Sequence, residues 1–407
     1  LRLDLALAAS LGAQLALAPL LALHFHRLAP AALVLNLVAV PLATAVLLLG
    51  AAAAAAGFVP ALGRLLGLLA FWAAHGLLAS GTLVRGVPGL DARVPTPAAG
   101  LVAAHVFVLV LLACGWRRRL CAALAVGTSV LFVLGSPHWS RGSGRLELVM
   151  LDVGQGDALV LRSPRGRLWM IDAGGSYDGR FDVGENVLGP YLWDRSVRAL
   201  DGLLLTHPHP DHVGGAPFLV RAFRVGEVWE GVAPRHDPGY LILDQALRAA
   251  GVPRRSVCRG VTLDWDGVGL EVLAPAPVGP PPAITRNDDS VVLEVSFGEI
   301  RFLLTGDIEA TGEAALRLGP VAVLKVPHHG SRTSSSLALL AASAPRVALI
   351  SVGRRSPFGH PHLEVLERYR QAGIRVFRTD RDGAVSLQTD GRSVSLRTER
   401  GGEQGVQ

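Results

Sequence analysis

The chain has 407 residues, of which 50% are hydrophobic and only 18% charged, with a mean hydropathy of +0.39. Such averages argue against a wholly soluble protein, and three cysteines, Cys114, Cys121 and Cys258, exclude a disulfide scaffold. Residues 1–140 carry eight Arg, no Lys and two acids, which is the whole net charge of +6, while residues 141–407 balance 31 basic against 31 acidic residues and show no basic footprint of a nucleic-acid-binding domain.

The apolar third contains five nearly charge-free runs, Leu5 to Leu23, Ala31 to Val59, Leu65 to Thr82, Gly100 to Trp116 and Leu120 to Leu134. About 20 apolar residues span a bilayer, so five such runs in succession predict a polytopic helical membrane region over 1–135. The chain opens at Leu1 with no charged leader, which predicts a longer parent protein. Arg117, Arg118 and Arg119 lie between the last two runs and predict a cytoplasmic turn by the positive-inside rule, which puts the rest of the chain outside the cytoplasm. Arg27, Arg85 and Arg93 then lie outside, against Arg2 and Arg64 inside. Gln14, Asn36, His24, His26, His75 and His105 are polar groups at membrane depth, read as interhelical or interfacial residues, or as markers of a pathway. Pro19, Pro41 and Pro60 predict broken or kinked helices, which are tolerated where the freed backbone lines a cavity.

The polar, Gly- and Ser-bearing stretch SPHWSRGSG predicts a linker over 136–144, and residues 145–407 read as one layered α/β domain. Short β-type runs fall at 146–151, 158–162 and 168–171, and buried-type strands at 202–205, 291–295, 300–304, 321–326 and 347–352. Helical stretches fall at 217–223, 240–250, 310–318, 335–342 and 362–372.

Chemistry gathers at the strand ends. After DGLLL come His207, His209, Asp211 and His212 in an HxHxDH cluster; neutral imidazoles suit Zn, Mn and Fe, and the carboxylate adds hardness. Asp307 ends IRFLLT, a place from which a carboxylate could bridge two ions. His328 and His329 follow VAVLKV, and His360 and His362 precede a helix. Seven of the thirteen His fall in these three histidine clusters, which predicts a metal site.

This pattern resembles the metallo-β-lactamase superfamily, with its αββα sandwich and a metal site at one edge of the two sheets, over nearly all of 145–407. LDVGQGDA, IDAGG, LLTGDIE and VPHHGS, behind apolar segments containing LGAQLALAPLLALHF and LNLVAVPLATAV, narrow the resemblance to the ComEC family of competence proteins. That family is implicated in carrying transforming DNA across the cell membrane.

The resemblance implies that His207 and His209 serve one metal position, Asp211 and His212 the second, and that Asp307 bridges. One of His328 and His329 completes the second position, the choice being open. Asp172 corresponds to an early Asp that orients a ligand, and Asp157 either does likewise or is a turn residue. The superfamily's further His between His212 and Asp307 is missing here: the only histidine in that interval is His236, in a Pro-rich loop, and Asn287, Asp288 and Asp289 form a polar loop that could contribute or simply be a solvated turn. One imidazole fewer makes the first position weaker or more oxygen-rich, which favours Mn or Mg over tight dizinc binding and leaves room for a single ion; the expected cofactor is one or two divalent ions, Mn or Zn, with Mg as an alternative.

Paired cations suit phosphodiester hydrolysis. Asp211 could relay a water's proton, and His360 or His362 could hydrogen-bond a phosphate or protonate the leaving oxygen. Lys325, the only lysine, lies beside the site or is merely a strand lysine near a sheet edge. Ser331 and Ser334 could donate to phosphate or cap a helix starting near Ser335. The expected function is a membrane DNA-uptake protein whose hydrolase domain degrades the strand that is not transported, with DNA, the lipid bilayer and other competence-machinery proteins as partners. The alternatives are an envelope phosphoesterase and a DNA channel with a non-catalytic hydrolase-like domain.

Overall fold

The computed structural model describes residues 3–82, 90–134, 142–177, 179–234, 238–277 and 285–406. Arg2, Arg85, His236 and all but residues 142–144 of the expected linker lie outside the described residues. The chain divides into two units, residues 1–137 with 193–196, and residues 138–192 with 197–407.

In the first unit each apolar run forms a helix: Leu3–Phe25, Ala32–Ala55, Pro60–Thr82, Ala99–Ala113 and Arg118–Leu134. The first three are long and apolar enough to cross a bilayer. The last two have 15 and 17 residues, so at 1.5 Å per residue they reach only about 22 and 25 Å. Buried polar groups tie the helices together where apolar packing alone gives little preference. Asn36 Nδ2 donates to Ser10 Oγ at 2.9 Å, Ser10 Oγ to the Ala32 carbonyl at 3.3 Å. The His105 ring is 2.9 Å from the Leu15 carbonyl on one side and 2.7 Å from Thr128 Oγ1 on the other, joining three helices. Pro19 and Pro41 lie inside helices, and Pro41 and Asn36 line a cleft of about 740 Å³. Pro60 breaks nothing: it is the first residue of its helix, where its missing N–H costs no bond.

The second unit is a sandwich of two sheets. In chain numbers, one sheet runs in the order 402–406, 394–398, 385–389, 146–150, 159–162, 168–171, 199–205, 224–230, 254–256. The other runs 375–378, 347–350, 323–325, 300–304, 292–297, 268–274, 262–265. Each is antiparallel through one part and parallel through the other: 168–171, 199–205, 224–230 and 254–256 pair in parallel, as do 300–304, 323–325, 347–350 and 375–378.

Side chains alternate across a strand, and the second sheet uses both faces. Phe302, Leu304, Val323, Val347 and Leu349 point to the first sheet, where they meet Leu148, Met150, Leu161 and Trp169. Leu303, Leu324, Ala348 and Ile350 point the other way and pack on Leu339, Leu340, Val365 and Tyr369 of the helices Leu337–Ser343 and Leu363–Gln371. Trp169 meets Trp229 edge-on at 4.9 Å and Trp265 of the opposite sheet at 6.4 Å. Double-sided burial explains why those strands read as continuous apolar runs. The strands at 224–230, 254–256, 262–265, 268–274, 375–378, 385–389, 394–398 and 402–406 have no counterpart in the sequence reading. They are edges or one-sided strands such as VSLQT and VSLRT, where polar residues interrupt every apolar run.

Candidate metal centre

The histidine loop leaves the carboxyl end of the buried strand Ala199–Leu205, and Pro210 starts a single turn of helix, Pro210–Val213, that carries Asp211 and His212. Two glycine-rich loops press on its backbone. Asp157 N–H donates to the Asp211 carbonyl at 3.1 Å, and Ala173 N–H to that of His212 at 2.7 Å. Only glycine fits at two contacts: a Cβ on Gly156, at φ +114°, would lie 2.1 Å from the Asp211 carbonyl oxygen, and one on Gly175 would lie 1.9 Å from that of Pro210. That gives LDVGQGDA and IDAGG a backbone meaning. Gly156→Ala is therefore expected to destabilise the hydrolase unit by more than about 1 kcal/mol, seen as a lowered thermal midpoint; an unchanged midpoint would contradict the close approach.

Asp157, His212, Asp307 and His329 offer ligand atoms that all lie within 4.8 Å of one another, and all four residues are buried. Asp307 Oδ2 is 3.2 Å from His212 Nε2 and 3.3 Å from His329 Nε2. Asp211 Oδ2 is 3.5 Å from His329 Nε2 and 3.9 Å from His212 Nε2. His207 stands beside this group, its ring 4.1 Å from that of His212 and 4.5 Å from that of His209.

Hydrogen bonding assigns the tautomers. Asp172 accepts from Thr206 N–H at 2.7 Å, from Thr206 Oγ1 at 2.7 Å and from His212 Nδ1 at 2.7 Å. Since the Thr206 proton goes to Asp172, His207 Nδ1, 3.1 Å from Thr206 Oγ1, is the donor in that pair. His329 Nδ1 donates to the Ser351 carbonyl at 2.9 Å. The Nε2 atoms of His207, His212 and His329 are buried without a hydrogen-bond partner, and in neutral rings with Nδ1 protonated each carries a lone pair. For His212 and His329 that lone pair faces carboxylate oxygens, an arrangement that only a proton or a metal cation makes favourable. The residues thus fit a divalent ion.

The titration pattern has the same origin. Burial works against a charge on His329, but Asp307 and Asp157 outweigh it and push the ring up to about 10. Burial likewise opposes charge on His212, yet Asp307 and Asp172 hold it well above the usual histidine range. Burial would raise Asp307, but His329, His212 and Lys325 keep it well below the usual carboxylate range. Burial, then His212, keeps His207 low and therefore neutral.

The paired histidines take different places in the fold. His328 and His329 both adopt left-handed backbone, at φ +48° and +52°, followed by Gly330 at +80°, conformations that cost energy in non-glycine residues and cluster at functional sites. This turn sends His329 into the cluster. His328 faces away, with Nδ1 3.2 Å from Glu309 Oε1 and 3.4 Å from Asn287 Nδ2. His360 stacks on His329 at 6.3 Å and meets His328 edge-on at 5.5 Å; burial and these two neighbours push it down to about 4. His362 contacts His360 at 5.2 Å and has Nδ1 3.0 Å from the Gly359 carbonyl.

Lys325 lies on an inner strand rather than near a sheet edge. It is fully buried, ion-paired with Asp157, 3.4 Å from Asp307 Oδ1 and 2.8 Å from the Gly306 carbonyl. Asp157 is correspondingly no mere turn residue. Ser331 hydrogen-bonds Thr333 at 3.0 Å, and Ser334 donates to the Pro327 carbonyl at 2.8 Å. Neither caps a helix, because the cap of Leu337–Ser343 is Ser336, accepting from Leu339 N–H. Asp289 accepts from Arg286 N–H within its own turn, Asp288 accepts from the Glu309 and Gly312 N–H groups at the start of the helix Ala310–Ala314, and Asn287 Oδ1 is buried and unpaired. Tyr177, whose hydroxyl donates to Asp211 Oδ1 at 2.8 Å, was not foreseeable from spacing; only its place just after IDAGG hints at it.

Residues 151–354 match the family described as Metallo-beta-lactamase superfamily. The chain belongs to the metallo-β-lactamase superfamily. Residues 2–119 match a second family, Competence protein, so a competence domain precedes a superfamily hydrolase domain. The chain is 32% identical to ComE operon protein 3 of Bacillus subtilis, over 92% of this chain and 50% of that protein. It is 34% identical to Recombination protein 2 of Haemophilus influenzae over 62% of this chain and 29% of that one. The match to Competence protein ComA of Neisseria gonorrhoeae is 32% identical over 58% of this chain and 31% of the relative. The chain thus spans half or less of the length of these relatives.

Proposed function

We propose that this chain is part of a membrane DNA-uptake protein of the ComEC type, whose hydrolase domain cuts phosphodiesters of incoming DNA and degrades the strand that is not transported. The convergence of Asp157, His212, Asp307 and His329 around imidazole nitrogens that lack partners carries this reading. Its setting behind apolar helices and a competence domain points to DNA as substrate.

In this reading His207 and His209 would hold one cation, Asp211, His212 and His329 a second, and Asp307 and Asp157 would supply further carboxylate oxygens. When bound, divalent cations supply Lewis-acid stabilisation of phosphoryl charge and activate water. Asp172 fixes the His212 ring and, through Thr206, the His207 ring. Asp211 takes the proton of the attacking water. His360, neutral near pH 7, hydrogen-bonds the phosphate, and His362 stands next to it toward the leaving oxygen. Lys325 holds Asp157 and Asp307 in place. The apolar helices sit in the cell membrane with Arg117, in the turn, and Arg118 and Arg119, which begin the helix Arg118–Leu134, on the cytoplasmic side, and the hydrolase domain, residues 145–407, lies outside the cytoplasm.

The test is cleavage by the full chain in detergent, with Mn or Zn, of single-stranded and duplex DNA, alongside phosphocholine-type esters. Metal-dependent DNA cleavage that disappears in His207→Ala is expected. Cleavage that persists in this variant, or hydrolysis of the esters alone, overturns the reading. Asp172→Asn is expected to weaken metal binding about 10- to 100-fold by loosening His212, measured by calorimetric titration with Mn; wild-type affinity would argue against its orienting role.

A further inference from the structure

Two exposed aromatic rings adjoin the cluster. Tyr177 follows IDAGG and Phe358 lies in SVGRRSPFGHPH; they are 54% and 48% exposed, with ring centroids 5.6 Å apart, edge to face. Both are tethered inward. The Tyr177 hydroxyl donates to Asp211 Oδ1 at 2.8 Å. The Phe358 ring lies 5.7 Å from His360, tilted by 31°, and His360 stacks in turn on His329. Aromatic surface therefore runs from solvent to the carboxylates and imidazoles without a break. Exposed Arg354 and Arg355 precede Phe358 on the same loop.

We propose that Tyr177 and Phe358 form a stacking platform for a nucleobase of a single-stranded polynucleotide, holding it so that an adjoining phosphodiester reaches the cluster. The inference rests on the hydrolase reading above. Every base has a π-face, so such a platform binds strands with little regard to sequence, and aromatic stacking changes affinity roughly tenfold or more per base. A base paired within a duplex keeps its faces stacked on its neighbours, so the platform selects single strands. The arginines supply charge for the backbone, and a ring already anchored at its tip loses little freedom when a base lands on it.

The experiment uses the full chain in detergent with Ca in place of Mn, scoring only intact strand. One probe is a single strand of about 12 nucleotides, within the usual span of such grooves, carrying a central 2-aminopurine; the other is the same sugar-phosphate strand without bases. The wild type is expected to bind the base-bearing strand about tenfold more tightly and to quench its fluorescence. Phe358→Ala is expected to erase both the preference and the quenching, and Phe358→Trp to restore them. Equal affinity of the wild type for the two probes, or equal weakening of both by Phe358→Ala in a protein with an unchanged thermal midpoint, overturns the platform. Loss of the hydrolase reading looks different: quenching persists while neither Mn nor Zn produces cleavage.

Discussion

Asp307→Ala is expected to lower divalent-metal affinity at least about 100-fold, the upper end of what ligand-orienting partners alone contribute, and to abolish DNA cleavage with it. The reason is position: Asp307 Oδ2 is the one carboxylate oxygen within 3.3 Å of both His212 Nε2 and His329 Nε2. Without it the two imidazoles lose their shared anionic partner, and no neighbouring side chain reaches both at that distance among the described residues. Asp307→Asn tests whether charge or shape matters; since the amide keeps the shape and discards the charge, it should lose nearly as much. Metal content of the purified full chain, measured by elemental analysis after dialysis against Mn, is the direct readout. Retention of wild-type metal by Asp307→Ala would remove Asp307 from the centre.

The second large effect concerns Lys325. Its ammonium is sealed between Asp157 and Asp307 with essentially no solvent contact, and burial's penalty on its charge is outweighed by Asp157 and Asp307, which raise its pKa. Lys325→Met keeps the volume but removes the ammonium that pairs with buried Asp157 and supports Asp307, a loss of about 3–5 kcal/mol by analogy with other broken buried pairs. In metal-free buffer the thermal midpoint should fall steeply. Asp157→Asn combined with Lys325→Met should recover much of it, because both ends of the main pair are then neutral, and the double-mutant cycle isolates that coupling. A single variant as stable as the wild type, or a double variant worse than the two singles added together, would show that Lys325 is not bound to the carboxylates in the folded protein.

Much of this was legible in the residues themselves. HxHxDH after DGLLL, the carboxylate after IRFLLT and the histidine pair after VLKV sit at ends of parallel strands, and the double-sided burial of those strands makes them visible as apolar runs. The helical runs of the first unit were visible for another reason: they are apolar on every side over lengths that suit a bilayer. One-sided strands such as 385–389 and 394–398 were not, since alternating polar residues over five positions are as common in loops.

Residue chemistry and spacing by themselves pointed to an apolar first unit, a layered α/β second one and a gathering of histidines and carboxylates suited to a cation, while the hydrolase type came from the likeness of its motifs to a known family. Tertiary structure alone decided that His329 and not His328 enters the cluster, because two successive left-handed residues rotate neighbouring side chains to opposite sides. It alone buried Lys325 on Asp157, which lies 168 positions away in the chain, and brought Tyr177 to Asp211 and Phe358 to Tyr177. The physical reason is the same in each case: spacing along a chain records periodicity within one element, whereas these contacts depend on which strand lies beside which and on the direction in which each loop leaves its strand.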